Sequence, residues 1–378
     1  MRVIQILHHS LGSAYVNAEP ESGEQGWHEL VAREIAKRTD QVNIECWRPE
    51  SNIAKMHVWT DSYGVRHKVY PSIRVRYGVE LSLPLIADLR GELRENEQIV
   101  LHLHGIYNLS TYLLALSFGD KVPIAAHSHD PLEPGYGRFQ RPRNALRRYA
   151  LHNVARFFLS TEAEGSCFSA AYGADKVRIA PVPVDLTLFR RIDKKRARIK
   201  LGWRPEDRYV LYVGRLEERK GLKYLIQASR MLVSRFPRLH LIIVRSGIVS
   251  QKKADEMTFV GQVRYSDLSL YYNAADIFVL PSLRESWSRV VIEALACQTP
   301  VIATCTGCVP TLMKQGMNGL FAVPMRDAAA LADKICEVLP NSDELRSKIK
   351  RRKLEVYGSD YFVQQMLTNY KQLGDRHG

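Results

Sequence analysis

Two glutamates eight positions apart, Glu285 and Glu293, lie in the stretch Pro281-Ser282-Leu283-Arg284-Glu285-Ser286-Trp287-Ser288-Arg289-Val290-Val291-Ile292-Glu293, which leaves the apolar run Ile277-Phe278-Val279-Leu280. The residue pattern predicts a strand over 277–280 and a helix over 285–296. Eight helical residues turn through about 800°, two turns and about 80° more. The carboxylates then do not share a face: Glu285 stands at the helix mouth and Glu293 two turns deeper. That spacing suits a grip on two separated parts of one long ligand, with backbone N–H groups of the helix start facing an anion between them. Upstream, Val213-Gly214-Arg215-Leu216-Glu217-Glu218-Arg219-Lys220-Gly221 follows a second apolar run. Gly214 permits a tight turn there, and Arg215 and Lys220 put two cations near a helix start, where a diphosphate would be welcome.

A third group is rich in histidine. His102-Leu103-His104-Gly105 ends one predicted strand and His127-Ser128-His129-Asp130 ends the next. A spacing of two puts each pair on one strand face, and four imidazoles on neighbouring strand ends could bind a metal. No nearby acidic cluster completes a hydrolytic site. Cys305-Thr306-Gly307-Cys308 is a C-x-x-C without the second pair of ligands that a zinc site needs. The six scattered cysteines read as free thiols.

The elements that must position these residues alternate. Strands are predicted at 3–7, 42–47, 99–104, 123–126, 157–160 and 177–180, with a helix at 29–38. A second series follows at 209–213, 239–244, 258–260, 277–280, 301–304 and 320–323, with helices at 222–235, 267–274, 285–296 and 327–339. Alternating β and α elements argue for parallel sheets covered on both faces. Two series argue for two Rossmann-like halves, joined by the charged stretch 185–207. Such sheets bind ligands beyond the carboxyl ends of their strands. A chain of 378 residues suits two domains, and no apolar run reaches the roughly 18 residues of a membrane span. The N-terminus enters a strand at once, so a cytoplasmic protein is expected.

The glutamate stretch resembles the E-x7-E signature of the retaining glycosyltransferases of family 4, and 214–221 is similar to that family's G-R-L-x-x-x-K-G segment. The resemblance implies the GT-B fold: two doubly wound domains facing across a cleft, an acceptor-binding domain over 1–186 joined by the C-terminal helix 359–378, and a nucleotide-sugar-binding domain over 187–358. It implies that Arg215 and Lys220 hold the donor diphosphate beside Gly214, that Glu285 contacts the sugar hydroxyls and that Glu293 binds the ribose. It places Ser286, Trp287, Ser288, Arg289 and Val290 along the donor and Gly261 and Val263 at the base. His129 matches a histidine that bonds the sugar near the reacting centre, with His127 and Asp130 toward the acceptor, and Gly23 stands for the family's Gly-Gly turn. As a glycosyl–phosphate bond breaks, charge grows on the leaving phosphate, and cations fixed in advance stabilise that state above the ground state. No D-x-D motif for a diphosphate-bound metal ion occurs in the chain, so no metal and no cofactor are expected, and the donor is expected to be a UDP- or GDP-sugar.

The chain also departs from the family. Ser288 stands where a Gly is usual, Val182-Pro183-Val184-Asp185 replaces N-G-V-D, Arg245-Ser246-Gly247 reduces a Gly-x-Gly, and Pro310-Thr311 replaces P-E. These changes point to an unusual donor or acceptor. Net charge is +14, which favours anionic partners. The cluster Arg138, Arg141, Arg143, Arg147, Arg148, with apolar residues interleaved, suggests the inner membrane surface and a lipid-linked or glycan acceptor. Polysaccharide or glycolipid synthesis is the implied setting. Two other basic runs, at 194–200 and 348–353, read as solvated helix faces. The alternatives are a nucleotide-sugar epimerase of the same fold and a metal-dependent hydrolase using His102, His104, His127 and His129. No nucleic-acid-binding motif is present.

Overall fold

A computed structural model describes residues 1–7, 27–75, 79–94, 98–129, 140–244, 252–254, 257–261 and 263–375. Gly23, Asp130 and Arg138 lie outside the described residues, as do the side chains of Arg141 and Arg143. The chain divides into two compact units, Met1–Val182 with Asp360–Gly378, and Pro183–Ser359.

In the first unit the strands are β1 (Arg2–Leu7), β2 (Asn43–Glu50), β3 (His57–Thr60), β4 (Arg66–Pro71), β5 (Ile73–Val75), β6 (Val79–Leu81), β7 (Ile99–His104), β8 (Ile124–His127), β9 (Arg156–Leu159) and β10 (Val177–Ile179). Its helices are α1 (Trp27–Arg38), α2 (Leu83–Glu92), α3 (Leu109–Phe118), α4 (Gln140–Leu151) and α5 (Glu162–Tyr172). Eight strands form one sheet in the order β10-β9-β8-β7-β1-β2-β4-β3, and β5 pairs with β6 separately. The sheet is parallel except for β3, which runs against β4. Alternation along β7 sends Leu101 and Leu103 to a core shared with α2, α3, α4 and α5. Val100 goes to the opposite core, made with α1 and the helix Ser359–Asp375 through Phe362, Met366 and Tyr370. The hairpin of β3 and β4 and the helices α2, α3 and α5 were not expected. They carry short or mixed apolar runs whose periodicity does not separate helix from strand.

The second unit contains α6 (Lys194–Leu201), β11 (Arg208–Val213), α7 (Leu222–Leu232), β12 (Leu239–Val244), β13 (Lys252–Ala254), β14 (Met257–Val260), α8 (Leu268–Ala274), β15 (Ile277–Leu280), α9 (Arg289–Ala296), β16 (Val301–Thr304), α10 (Val309–Lys314), β17 (Leu320–Val323), α11 (Ala328–Val338) and α12 (Ser342–Lys348). The sheet order is β13-β14-β12-β11-β15-β16-β17, parallel apart from β13. The chain thus winds outward from β11 in one direction and from β15 in the other. Ligands in such sheets settle where the strand order reverses, at the carboxyl ends of that pair.

Two expectations are corrected here. The charged stretch 185–207 belongs to the second unit: Arg198 is buried, donating to the carbonyls of Ala274, Pro205 and Asp207 and to the Asp276 carboxylate. The basic run at 194–200 is therefore partly structural, and Lys194 pairs with Asp276 and Asp343. The glutamate helix starts at Arg289 rather than at Glu285. Ser288 sits at φ +74°, ψ +65°, a left-handed backbone that stops the helix from extending toward its N-terminus. Glu285 is consequently a loop residue, and the 800° rotation does not relate it to Glu293. Among the described residues no helix is long and apolar enough to cross a membrane.

The loops after β11 and β15 touch through backbone. Leu283 N–H donates to the Arg219 carbonyl at 2.7 Å. Gly221 has φ +66°, and a Cβ there would lie 2.0 Å from the Pro281 carbonyl oxygen. Gly221→Ala is expected to destabilise the unit by at least about 1–2 kcal/mol from the left-handed backbone alone, and further by forcing the loops apart. Urea titration of the variant checks this; an unchanged midpoint would contradict it.

Candidate active site

At the reversal between β11 and β15 the polar side chains form one connected group. Lys220 Nζ donates to Glu285 Oε1 at 2.6 Å, and Ser282 Oγ donates to the same oxygen at 2.6 Å. Arg219 approaches Glu285 Oε2 at 3.8 Å. Arg219 and Arg215 divide the Glu217 carboxylate between them, at 2.7 and 2.9 Å. Three cations therefore face two carboxylates, and an arriving dianion would find charge to pair with once Glu217 yielded its partners. Arg215 is nearly half exposed, whereas Lys220 and Glu285 are largely buried. Gly214 N–H donates to the Val244 carbonyl, and the Tyr212 hydroxyl donates to the Arg215 carbonyl at 2.9 Å. These bonds fix the turn that presents Arg215.

The loop carrying Ser286, Trp287 and Ser288 is held from beneath by the segment after β16. Cys308 N–H donates to the Trp287 carbonyl at 2.7 Å, and Thr304 Oγ1 donates to the Ser282 carbonyl. Gly307, at φ +57°, leaves no room for a side chain: a Cβ would stand 2.6 Å from Ser288 Oγ and 2.8 Å from the Trp287 oxygen. Trp287 is buried and packs against Tyr357. Cys308 is buried and Cys305 exposed.

Glu293 lies inside α9, fully buried. Its two oxygens accept from the hydroxyls of Tyr272 at 2.9 Å and Tyr265 at 3.3 Å. Burial pushes its carboxyl up, while Arg289 and the two hydroxyls pull it back. The Arg289 guanidinium stands over the Tyr265 ring at 5.5 Å. Val290, the second residue of α9, is partly buried, and Gly261 and Val263 follow β14, Val263 packing on the same core. The structure thus gathers Arg215, Lys220, Glu285 and Gly214 into one knot and sets Glu293 apart beneath Tyr265.

In the first unit, His104 and His127 are register partners on β7 and β8, with His102 two residues back on the same face. His104 Nδ1 meets His129 Nε2 at 2.9 Å, His127 Nε2 lies 2.8 Å from the Ala180 carbonyl, and His102 Nδ1 lies 2.6 Å from the Tyr370 hydroxyl. Trp27 sets its edge against His104, His127 and His129. Burial, reinforced by the neighbouring imidazoles, holds His102 and His104 well below the ordinary imidazole range, and burial takes His127 down to about 3.

Comparison with known proteins decides the family. Residues 193–356 match the family described as glycosyl transferases group 1, and residues 29–188 match glycosyltransferase family 4. The chain is 32% identical over 351 residues to a D-inositol 3-phosphate glycosyltransferase of Pseudarthrobacter chlorophenolicus, covering 83% of this chain and 82% of that one. It is 30% identical to the Mycobacteroides abscessus enzyme of the same name, covering 85% and 79%. The chain belongs to the family 4 glycosyltransferases. Its fold is shared with the sucrose-phosphate synthase of Thermosynechococcus elongatus (TM-score 0.76, 21% identity, 99% of each chain). It is shared also with Anabaena HepE, solved with UDP (TM-score 0.72, 18% identity, 98% and 100%). The GT-B architecture expected from the motifs is therefore the one found.

Several residues around the transferase's knot were not singled out from the sequence. Arg219, rather than Arg215, reaches Glu285, and Glu217 and Ser282 complete the network. Tyr265 and Tyr272 cover Glu293. An x-R-K-G ending offers two cations for one role, and spacing alone does not say which of them faces inward.

The buried imidazoles of the transferase give a signed pH dependence. Their folded-state values are depressed, so between about pH 6.5 and 3 the unfolded chain binds protons that the folded one does not. Stability is complete above about pH 6.5 and falls as the medium is acidified, by up to about 1.4 kcal/mol per pH unit for each imidazole. Glu29 and Glu293, raised by burial, act oppositely once the pH falls into the carboxylate range. Denaturation midpoints measured between pH 7.5 and 5 should fall steadily; a flat or rising profile would refute the neutral cluster.

Proposed function

We propose that this glycosyltransferase moves a sugar from a nucleoside-diphosphate sugar, UDP- or GDP-linked, onto a lipid-linked or glycan acceptor, with retention at the anomeric carbon and no divalent ion on the diphosphate. The observation that carries the reading is the Lys220–Glu285–Ser282 contact, with Arg215 and Arg219 beside it, at the carboxyl ends of β11 and β15. HepE, of the same fold, has been solved with UDP-glucose. In this reading the diphosphate displaces Glu217 from Arg215 and Arg219 and takes charge from Lys220. Glu285, two bond lengths from that ammonium, receives hydroxyls of the sugar attached to the same phosphate. A ribose hydroxyl would replace the Tyr265 hydroxyl on Glu293, the longer of its two bonds. His129 keeps its expected role as a sugar contact, whereas His127, fully buried with Nε2 on the Ala180 carbonyl, is not placed to touch an acceptor.

The chemistry follows from charge. As the sugar–phosphate bond lengthens, negative charge gathers on the leaving diphosphate, and guanidinium and ammonium groups already in place lower that barrier without reorganising. Attack on the face from which phosphate departs lets the phosphate oxygen take the acceptor's proton, which gives retention without a protein nucleophile.

Thermal-shift measurements with UDP, GDP and ADP should single out one nucleotide that raises the melting temperature, with chelator present or absent. Arg215→Ala breaks only an exposed pair, a change of at most about 1 kcal/mol in stability, yet it should abolish that shift, as should Lys220→Ala. A full shift in both variants would sink the assignment.

The acceptor side rests on α4. Leu146 and Tyr149 are exposed on it beside Arg147 and Arg148, an arrangement that favours anionic lipid headgroups. The transferase should co-sediment with vesicles containing phosphatidylserine at low salt. The double variant Arg148→Glu, Tyr149→Ser should bind at least about tenfold more weakly; equal binding by both proteins would remove α4 from the account.

A further inference from the structure

We propose that His102, His104 and His127 form a binding site for one divalent transition-metal ion of the zinc class inside the first unit. One ligand atom from each imidazole lies within 4.8 Å of the other two, and all three side chains are buried. Each ring keeps one buried nitrogen with no hydrogen-bond partner among the described residues: Nε2 of His102, Nε2 of His104 and Nδ1 of His127. A buried polar atom without a partner is costly and uncommon in folded proteins. Three such atoms, on rings whose ligand atoms approach one another within 4.8 Å, call for an occupant.

The chemistry of the donors selects the ion. The Ala180 oxygen can only accept, so His127 Nε2 carries the proton and Nδ1 presents a bare lone pair. Neutral imidazole is the form that ligates. Three imidazole nitrogens without carboxylate suit zinc, cobalt, nickel or copper and not magnesium or calcium. A tetrahedral zinc ion with bonds of about 2.1 Å spaces its nitrogens by about 3.4 Å, inside the 4.8 Å limit within which these donors lie, so the rings would close inward on the ion. The opposite ring nitrogens are already anchored, on Tyr370, His129 and the Ala180 carbonyl. This is the outer arrangement that orients metal-bound histidines. Three protein ligands leave a fourth position for water. The C-x-x-C at 305–308 is the weaker candidate, because Cys308 is buried with its Sγ directed at the Ser288 carbonyl.

The full-length chain, stripped with chelator and dialysed, is titrated at pH 7.5 with cobalt(II) and, in competition with a chromophoric chelator, with zinc(II). One equivalent of each should bind, with ligand-field absorption of tetrahedral cobalt, no thiolate charge-transfer band and a raised melting temperature. Tyr370→Phe, which keeps the packing and removes only the outer hydroxyl, should weaken binding roughly 10–100-fold. His102→Phe and His127→Phe should weaken it more, with circular dichroism reporting that they fold. Absence of saturable binding by the unmodified protein would mean that the nitrogens face trapped water and would overturn the proposal. So would binding unchanged in Tyr370→Phe and the histidine variants, or binding lost in Cys305→Ser.

Discussion

The second unit depends on one contact between opposite charges, the 2.6 Å pair of Lys220 and Glu285. Each side chain comes from the loop after a different strand, and β11 and β15 are neighbours only because the chain winds away from them in opposite directions. The backbone enforces the pairing as firmly as the charges do. A side chain at Gly221 would collide with the Pro281 carbonyl, so the two loops approach to a distance that only glycine permits. Largely removed from water, neither ion is stable without the other, and the Ser282 hydroxyl and Arg219 satisfy what remains of the carboxylate. A site assembled this way is preorganised: its cations are in position before any anion arrives.

The second constraint is backbone strain at Ser288. A non-glycine residue at φ +74° costs on the order of 1–2 kcal/mol, and the surrounding structure holds it there. Trp287 is buried, Cys308 N–H bonds the Trp287 carbonyl, and Gly307 packs against the turn. The strain sits between the two glutamates, and it separates a loop carboxylate from a helical one, both largely buried. Their environments differ accordingly. Glu285 is matched by an ammonium, whereas Glu293 is held by two tyrosine hydroxyls and driven upward by burial.

The first unit solves a different problem. Its sheet places imidazoles where aliphatic side chains would ordinarily fill the end of a parallel strand, and burial keeps them uncharged. Stacked rings, Trp27 and Phe362 pack around them, so among the described residues the polar cluster is closed off by aromatic surface. An acid-sensitive fold and a set of neutral nitrogen donors are two consequences of the same burial.

The alternation of apolar runs and the two motifs were enough, without coordinates, to read two Rossmann-like halves, the GT-B architecture and the family. Strands such as 99–104, 239–244, 277–280, 301–304 and 320–323 were legible to the residue, because a parallel strand buried on both faces is a continuous apolar run. The motif residues Gly214, Arg215, Lys220, Glu285 and Glu293 were legible because their types are tied to chemistry. The start of α9 was not, since a left-handed serine carries no signal in a pattern of apolar positions. Nor could spacing say that Arg219 turns toward Glu285, that Tyr265 and Tyr272 cover Glu293, or that Arg198 in a run of basic residues is buried against Asp276. Those outcomes depend on partners dozens of positions away. Sequence determined which groups were available and on which strands they ride; only tertiary structure decided which of them meet, because burial and hydrogen-bond geometry are properties of the packed chain.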